Sequence, residues 1–431
     1  MKAHILSIGN ELLIGDTVNT NAAWIGRFLT DRGFDVEEIR TVSDDYGAIT
    51  GAILYAMEHA GLVISTGGLG PTHDDITKKA VADLFESDMV LNDRVLSFIR
   101  KEFARRGRRF TSSNRDQAMV PADCEVLFND AGTAPGMWFE KNGTGLAVLP
   151  GIPYEVTYLM KNGVDAKLRG LAGEGRFRAV RYLKTAGVPE STLSDEVIGD
   201  LGEFIDDGND IAYLPGSGGV TIRVSRHGAS TEEAEKRLAP LLDHIEKRAG
   251  GLIFGEGRDL RLSEATGRIL TSKKLSLSVA ESCTGGLISD LITDVPGSSA
   301  YFSGGVIAYA DPVKTARLGV RQESLAEHGA VSMEVALQMA GGVADSFSTD
   351  IGVSATGVAG PGGGSEEKPV GTVWMGFRIK GQQFALKAYF TRDRRINKER
   401  TGTVVLETVR RYLLDMDSFP YDLKPHYPHY R

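Results

Sequence analysis

Apolar positions along this chain repeat with two periods, and their alternation divides it into segments. The runs Ala3 to Ile8, Val36 to Thr41 and Leu62 to Thr66 predict strands, while Asn19 to Arg32 and Gly47 to His59 have helical spacing. Strand and helix in turn predict an α/β domain over residues 1–170, a largely parallel sheet with helices on both faces. Past the glycine-rich stretch LRGLAGEGR, strands at Phe177 to Thr185, Ile211 to Leu214 and Val220 to Arg226 combine with helices near Ser191 to Phe204 and from Thr231 to Arg248. That mixture predicts a small α+β connector over 171–256. Residues 257–415 return to an α/β pattern. It has a strand ending near Val279, a helix in GAVSMEVALQMAGGVADSF, a strand in IGVSATG, paired strands in VGTVWMGFRI and QQFALKAYF, and a last helix from Ile396 to Leu414. The tail, 416–431, holds three prolines without apolar periodicity and is expected to pack poorly.

The sharpest candidate chemistry lies in LSLSVAESCTGGLISDLITD. Leu275, Leu277 and Val279 alternate with polar or small residues, and helical spacing begins after Gly286, so Glu281 to Gly286 is read as the turn between strand and helix. Amides at a helix start lack intrahelical partners and can stabilise an oxyanion, and Gly285 and Gly286 permit close approach of a substrate. Ser282, Cys283 and Thr284 are all nucleophile types. The same residues have a plainer reading, in which Ser282 or Thr284 caps the helix and Cys283 is a small buried residue. A hydroxyl nucleophile needs a base, and His328 is the only histidine between His244 and His426. Lys314 could serve if burial favours its neutral form, with Tyr309 nearby; otherwise it is an ordinary solvated helix lysine. Thr356 and Gly357, on the strand-end loop VSATGVAGPGGG, would face the same pocket. Arg394 and Arg400 at the start of the last helix could each neutralise a phosphate.

Composition narrows the function classes. The chain has 431 residues, 42% hydrophobic and 25% charged, which suits a soluble multidomain protein. A net charge of -8 gives no electrostatic footprint for nucleic acid. Two cysteines, Cys124 and Cys283, far apart and outside any CxxC or Cys/His cluster, predict neither a disulfide framework nor a zinc site. The opening MKAHILSIGNELLIGD lacks a signal-peptide pattern, and no run approaches membrane-spanning length. A cytoplasmic protein is expected.

In the first domain three polar turns should lie at strand ends, where ligands of such sheets bind: Gly9-Asn10-Glu11, Thr66-Gly67-Gly68-Leu69-Gly70 and Pro150-Gly151-Ile152-Pro153. The second leads through Pro71 into a helix whose start would favour a phosphate. Asp74 and Asp75 there would repel one unless a cation intervened, which suggests a divalent metal with Glu11 and Glu155 as further contributors. Acidic residues opening a helix without any ligand fit the pattern equally. The basic run FARRGRRF, with Arg105, Arg106, Arg108 and Arg109, is read as a solvated helix end.

Two sets of motifs carry a resemblance. VAESCTGGLISDLITDVPGSSAYF, GGVIAYADPVK, HGAVS and TGVAGPGGG with KPVGTV resemble the C-terminal domain of the CinA family, the nicotinamide-nucleotide amidohydrolases. TGGLGPTHDDITK with NTNAAWI, SSNRDQAMVP, GTAPGM and LPGIPYEV resembles the N-terminal CinA domain, related to molybdopterin-binding proteins of the MoaB and MogA type. The resemblance implies Ser282 as nucleophile, Tyr309 and Lys314 as its activating partners and Thr356 as a residue binding substrate or intermediate. Its implied activity is deamidation of nicotinamide mononucleotide to nicotinate mononucleotide and ammonia, without a cofactor. For the N-terminal half it implies cleavage of ADP-ribose to AMP and ribose 5-phosphate with a divalent metal (Mn, Co or Mg) and potassium. Asp74, Asp75, Glu11 and Glu155 would then be metal-site residues, with Thr66, Gly67, Gly68, Asn19, Asn21, Asn114 and Arg115 binding the ligand. The family's middle segment resembles KH domains. Gly216-Ser217-Gly218-Gly219 matches a GXXG loop, but between two strands it is read as a hairpin turn rather than a nucleic-acid clamp. A homodimer is also implied. One departure is Asp311-Pro312, where the family usually has an Asn-Glu pair, so that loop should differ in shape. The alternative reading is a non-catalytic pterin- or nucleotide-binding scaffold related to competence or molybdenum-cofactor proteins.

Overall fold

The computed structural model describes residues 1–70, 76–107, 109–171 and 177–428. They form two compact units, Met1–Ala179 with His227–Ala234, and Val180–Arg226 with Glu235–Arg431.

In the first unit β1 (Lys2–Ile8), β2 (Asp35–Val42) and β3 (Leu62–Thr66) are parallel. A two-stranded ribbon, β4 (Met89–Leu91) with β5 (Met119–Pro121), stands apart from the main sheet. β6 (Glu125–Leu127), β7 (Gly136–Lys141) and β8 (Thr144–Leu149) complete the order β2-β1-β3-β8-β7-β6, with only β6–β7 and β7–β8 antiparallel. Period-two alternation sorts the side chains onto two faces. Ala3, Ile5, Leu62, Ile64, Ala147 and Leu149 join a core with helices Thr20–Thr30 and Pro153–Leu159, while Leu6, Ile8, Val63, Leu146 and Val148 join another with helices Tyr46–His59 and Thr77–Leu84. Helices therefore cover both faces, as the pattern predicts.

The connector sheet has the order β10-β11-β9-β12, from β9 (Phe177–Thr185), β10 (Asn209–Gly216), β11 (Gly219–Gly228) and β12 (Ile253–Glu256). Gly216 pairs with Gly219 at the end of the β10–β11 ladder, so the GSGG segment is a two-residue hairpin turn. The helix expected over 191–204 is broken: Thr192–Ile198 is a π-helical turn, Gly199 takes φ +79, and Gly202–Asp206 starts again.

The third sheet, β14-β13-β15-β16-β17-β18, is built from β13 (Leu277–Glu281), β14 (Phe302–Ile307), β15 (Ile351–Gly357), β16 (Thr372–Ile379), β17 (Gln382–Tyr389) and β18 (Pro425–His426). β13 lies between β14 and β15 and is parallel to both. Leu277 and Val279 face helices Leu262–Lys273, Leu287–Thr293 and Arg394–Leu413, and Ala280 faces Met333–Phe347. The tail corrects its expectation. Phe419, Tyr421 and Leu423 pack on this core, and Pro425–His426 pairs with Ala385 and Leu386. Apolar side chains at every second position suffice to dock it, and Pro425 lies in the edge strand β18, where proline is tolerated. Among the described residues no helix is long and apolar enough to cross a membrane.

Candidate functional site

Three parallel strands end together in the third sheet. Glu281 closes β13, Ala308 follows β14 and donates its amide to the Glu281 carbonyl (2.7 Å), and the Ser282 amide donates to Ala355 of β15 (2.9 Å). The turn is one residue shorter than expected, because Glu281 is the last strand residue and fully buried. Its carboxylate accepts from the amides of Gly286 (2.8 Å), Ile288 (3.1 Å) and Ser289 (2.8 Å) and from Ser289 Oγ (2.7 Å). A buried carboxylate requires such donors, and the helix start supplies them. The donors expected for an oxyanion at the helix start are thus taken. Those left are in the turn: among the described residues the Thr284 amide has no acceptor, the buried Thr284 hydroxyl has no partner, and the Cys283 amide lies only against its own sulfur.

Ser282 is 8% exposed at the head of this turn. Gly285 (φ +60) and Gly286 (φ +97) bend it in the left-handed region, where a side chain would be strained. Burial pushes the Cys283 thiol up to about 12, which leaves it protonated and unsuited to attack. Lys314 is not a solvated helix lysine. It lies in the first turn of helix Asp311–Leu318, 1% exposed, and its Nζ donates to Asp311 Oδ1 (3.0 Å) and the Tyr309 carbonyl (3.2 Å). The Asp311-Pro312 departure is thereby explained: proline suits a helix start, and Asp311 pairs with the lysine one turn on.

Arg394 draws three segments together, donating to the Gly360 carbonyl (2.9 Å) and the Tyr309 hydroxyl (3.1 Å). Thr356 is 1% exposed with its hydroxyl donated to the Ala330 carbonyl (2.7 Å), so its side chain anchors that loop. A Cβ on Gly357 would stand 2.6 Å from the Thr372 carbonyl oxygen, which makes this glycine a packing requirement between β15 and β16. Arg400 lies elsewhere, lining a cavity with Tyr389 and Tyr421. Sequence reading missed two residues. Glu281 looked like a turn residue. Lys398, one helical turn after Arg394, has no hydrogen-bond or ion-pair partner among the described residues, and its Nζ would be 3.7 Å from a Cβ on Gly285.

In the first unit the ends of β1, β3 and β8 carry a neutral polar network. Asn19 caps its helix and donates to Ser7 Oγ (2.8 Å), Asn21 donates to the Gly151 carbonyl (2.6 Å) and Thr66 Oγ1 (3.4 Å), and Thr66 donates to the Pro150 carbonyl (2.7 Å). Gly67 (φ +114) and Gly68 (φ +67) follow. A Cβ on Gly68 would meet Thr77 Oγ1 at 2.0 Å, and that buried hydroxyl has no partner among the described residues. Asn114 closes a capping box with the cap residue Thr111, accepting from its amide and hydroxyl, and Arg115 is exposed. Arg105 and Arg106 pair with Glu102 at an exposed helix end.

Of the acidic candidates, only Glu11 and Glu155 lie among the described residues. Asp74 and Asp75 lie outside the described residues, as do His73 and Arg108. Glu11 is exposed and folds back over Gly9, whereas Glu155 is 4% exposed, accepts from Asn129 Nδ2 (2.6 Å) and packs on Gly132. Among the described residues no three His, Cys, Asp or Glu side chains are placed to hold a metal, so those residues by themselves do not fit one. Burial raises the Glu155 carboxyl above the usual range, opposed by the Asn129 bond and Arg106. A raised folded-state value makes the acid's contribution complete below the unfolded value and lost as pH rises through the folded one. Glu155→Gln should therefore melt higher than wild type at pH 7, with the difference vanishing below about pH 4; thermal melts at both pH values check this. A destabilised variant at pH 7 would show that the carboxylate charge itself is needed.

Comparison with known proteins finds matches to three family models along the chain. Family models match at residues 4–169 (Probable molybdopterin binding domain), 180–255 (Damage-inducible protein CinA KH domain) and 259–413 (CinA C-terminal domain). A CinA-like protein of Chloroherpeton thalassium is 43% identical over 421 residues, covering 96% of this chain and 99% of that protein. One from Salinibacter ruber is 43% identical over 414 residues, covering 96% and 100%. A crystal structure of the protein CinA from Thermoplasma acidophilum, titled as of unknown function, is 38% identical and covers 39% of this chain and 97% of its own, at a TM-score of 0.36. With relatives matched over almost their whole length at this identity, the chain belongs to the CinA family.

Proposed function

We propose that this protein is a bifunctional hydrolase recycling pyridine nucleotides, with its amidohydrolase centre at the Ser282 turn. The observation that carries the reading is the burial of Lys314. A lysine held at 1% exposure in the first turn of a helix, at the end of the strand beside Ser282, goes against the strong preference of lysine for solvent. Ser282 Oγ would attack the carboxamide carbon of nicotinamide mononucleotide while its proton passes to the amine form of Lys314. The unpaired Thr284 donors would receive the developing oxyanion. Collapse breaks the C–N bond, with Lys314 returning the proton to the leaving ammonia. Water then hydrolyses the acyl-enzyme to the nicotinate nucleotide and restores Ser282. The cations Arg394 and Lys398 supply positive charge for the 5′-phosphate.

The test is ammonia release from nicotinamide mononucleotide by the full chain. Lys314→Met, which keeps the buried stem, should slow release by about 10²–10⁴-fold, the range for a general acid-base group. Release at the wild-type rate would remove Lys314 from the mechanism.

For the N-terminal half we propose binding of ADP-ribose at the ends of β1, β3 and β8 and its cleavage to AMP and ribose 5-phosphate. The Thr77 hydroxyl beside the Gly67–Gly68 bend, without a partner among the described residues, supports a phosphate there. The neutral Asn19, Asn21 and Thr66 network also suits binding without catalysis, which keeps a pterin- or nucleotide-binding scaffold as the second reading. Turnover of ADP-ribose that stops on adding a chelator and in Asp75→Ala is expected. Saturable binding with no product would favour the scaffold.

A further inference from the structure

Arg400 is unused by the amidohydrolase centre, and the tail that was expected to be loose is docked beside it. Between the connector and the third sheet lies a cavity of about 490 Å³, a volume in the range of small-molecule sites. Five stretches of chain wall it: the segment at Val188–Glu190, the β10–β11 hairpin at Pro215, the end of β17 at Tyr389 and Phe390, Arg400, and the tail at Tyr421 and Leu423.

Its lining has a definite chemistry. Tyr389, Phe390 and Tyr421 give it aromatic walls. The Arg400 guanidinium has no hydrogen-bond or ion-pair partner among the described residues, and neither has the Glu190 carboxylate. Arg400 and Tyr421 line the same cavity; burial raises the Tyr421 phenol above its ordinary value, and the Arg400 charge opposes that rise. A free cation beside aromatic faces selects a planar ring carrying an anionic group. Glu190 offers an acceptor for hydroxyl or N–H donors. The volume exceeds what a bare aromatic acid would fill and leaves room for a sugar between ring and anion.

We propose that this cavity is a second nucleotide site, one that takes a nucleoside monophosphate, with the base stacked on the aromatic walls, the ribose hydroxyls toward Glu190 and the phosphate on Arg400. The site is distinct from the Ser282 turn and stands whether or not that turn deamidates. Part of it is the tail segment at Tyr421 and Leu423, which is thereby ligand-binding rather than only structural.

Photolabelling of the full-length protein with 8-azido-AMP, followed by peptide mapping, tests it. Adducts are expected on peptides carrying Tyr389–Phe390 or Tyr421, suppressed by AMP or nicotinate mononucleotide but not by adenosine, and the better competitor identifies the preferred base. Arg400→Ala should cut this labelling by about tenfold or more, with partial return in Arg400→Lys, since a guanidinium–phosphate pair is a strong charge-assisted contact. Arg400 is exposed, so both variants should fold; their melting temperatures check this. Labelling of these peptides that is equal in wild type and both variants, or absent from them in wild type at millimolar probe, overturns the proposal.

Discussion

Ser282→Ala should lower ammonia release from nicotinamide mononucleotide by about four to six orders of magnitude, the scale on which serine-hydrolase nucleophiles are lost. Two neighbours could in principle substitute, and the structure argues against each. Cys283 is 6% exposed, with a thiol pushed up to about 12, so almost none is thiolate at neutral pH. Thr284 is fully buried. Ser282 makes no side-chain hydrogen bond among the described residues, so its removal should leave the melting temperature within a degree or two, in keeping with about 0.5 kcal/mol or less. Substrate binding should survive, because Arg394 and Lys398 remain. A variant with activity within tenfold of wild type would place the nucleophile elsewhere.

The largest loss of stability is expected from Glu407→Ala. Glu407 is fully buried in helix Arg394–Leu413 and holds two buried arginines, Arg410 (Nε–Oε2 2.7 Å, Nη2–Oε1 2.8 Å) and Arg411 (Nε–Oε1 2.7 Å). The guanidinium groups reach on to the Gly251 carbonyl (2.8 Å), the Ala186 carbonyl (3.0 Å) and Ser418 Oγ (3.3 Å). One carboxylate thus orients cations that tie the connector and the tail to the last helix. Truncating it leaves two positive charges in a low-dielectric core, at a cost of about 3–5 kcal/mol or more. For a unit of this size that is a fall in Tm of roughly 6–20 °C. Replacing Glu407, Arg410 and Arg411 together by apolar residues of similar volume should recover much of it, since apolar packing can match a buried charge cluster. An unchanged melt in Glu407→Ala would mean that water reaches the arginines.

The fold was largely legible because its signals are local and periodic. β3 was placed at Leu62–Thr66 and β9 at Phe177–Thr185 from apolar patterning alone. The two-faced covering of the first sheet follows from the same alternation. What periodicity could not show was set by partners distant in sequence. The tail looked loose because its docking surface is β17 and the core beneath it. The helix over 191–204 was broken by one glycine whose positive φ only the fold specifies.

The candidate site was legible in its residue types and not in their roles. Ser282, Lys314 and Tyr309 were singled out, but whether Lys314 was solvated or buried could be settled only by packing. Glu281 reads as one more polar turn residue, and only the three-dimensional turn shows its carboxylate occupying the helix-start amides. Thr356 has an internal partner in Ala330, and Arg400 belongs to a different cavity. In the first domain the aspartates Asp74 and Asp75 fall outside the described residues, and the neighbouring polar side chains are mostly neutral.

The central claim is covalent chemistry at Ser282. Its most direct test is to quench the wild-type protein during turnover of nicotinamide mononucleotide and map the acyl adduct by peptide mass spectrometry. An adduct on Ser282, with ammonia formed in step, is the predicted result. An adduct on Cys283 or Thr284 would contradict the account.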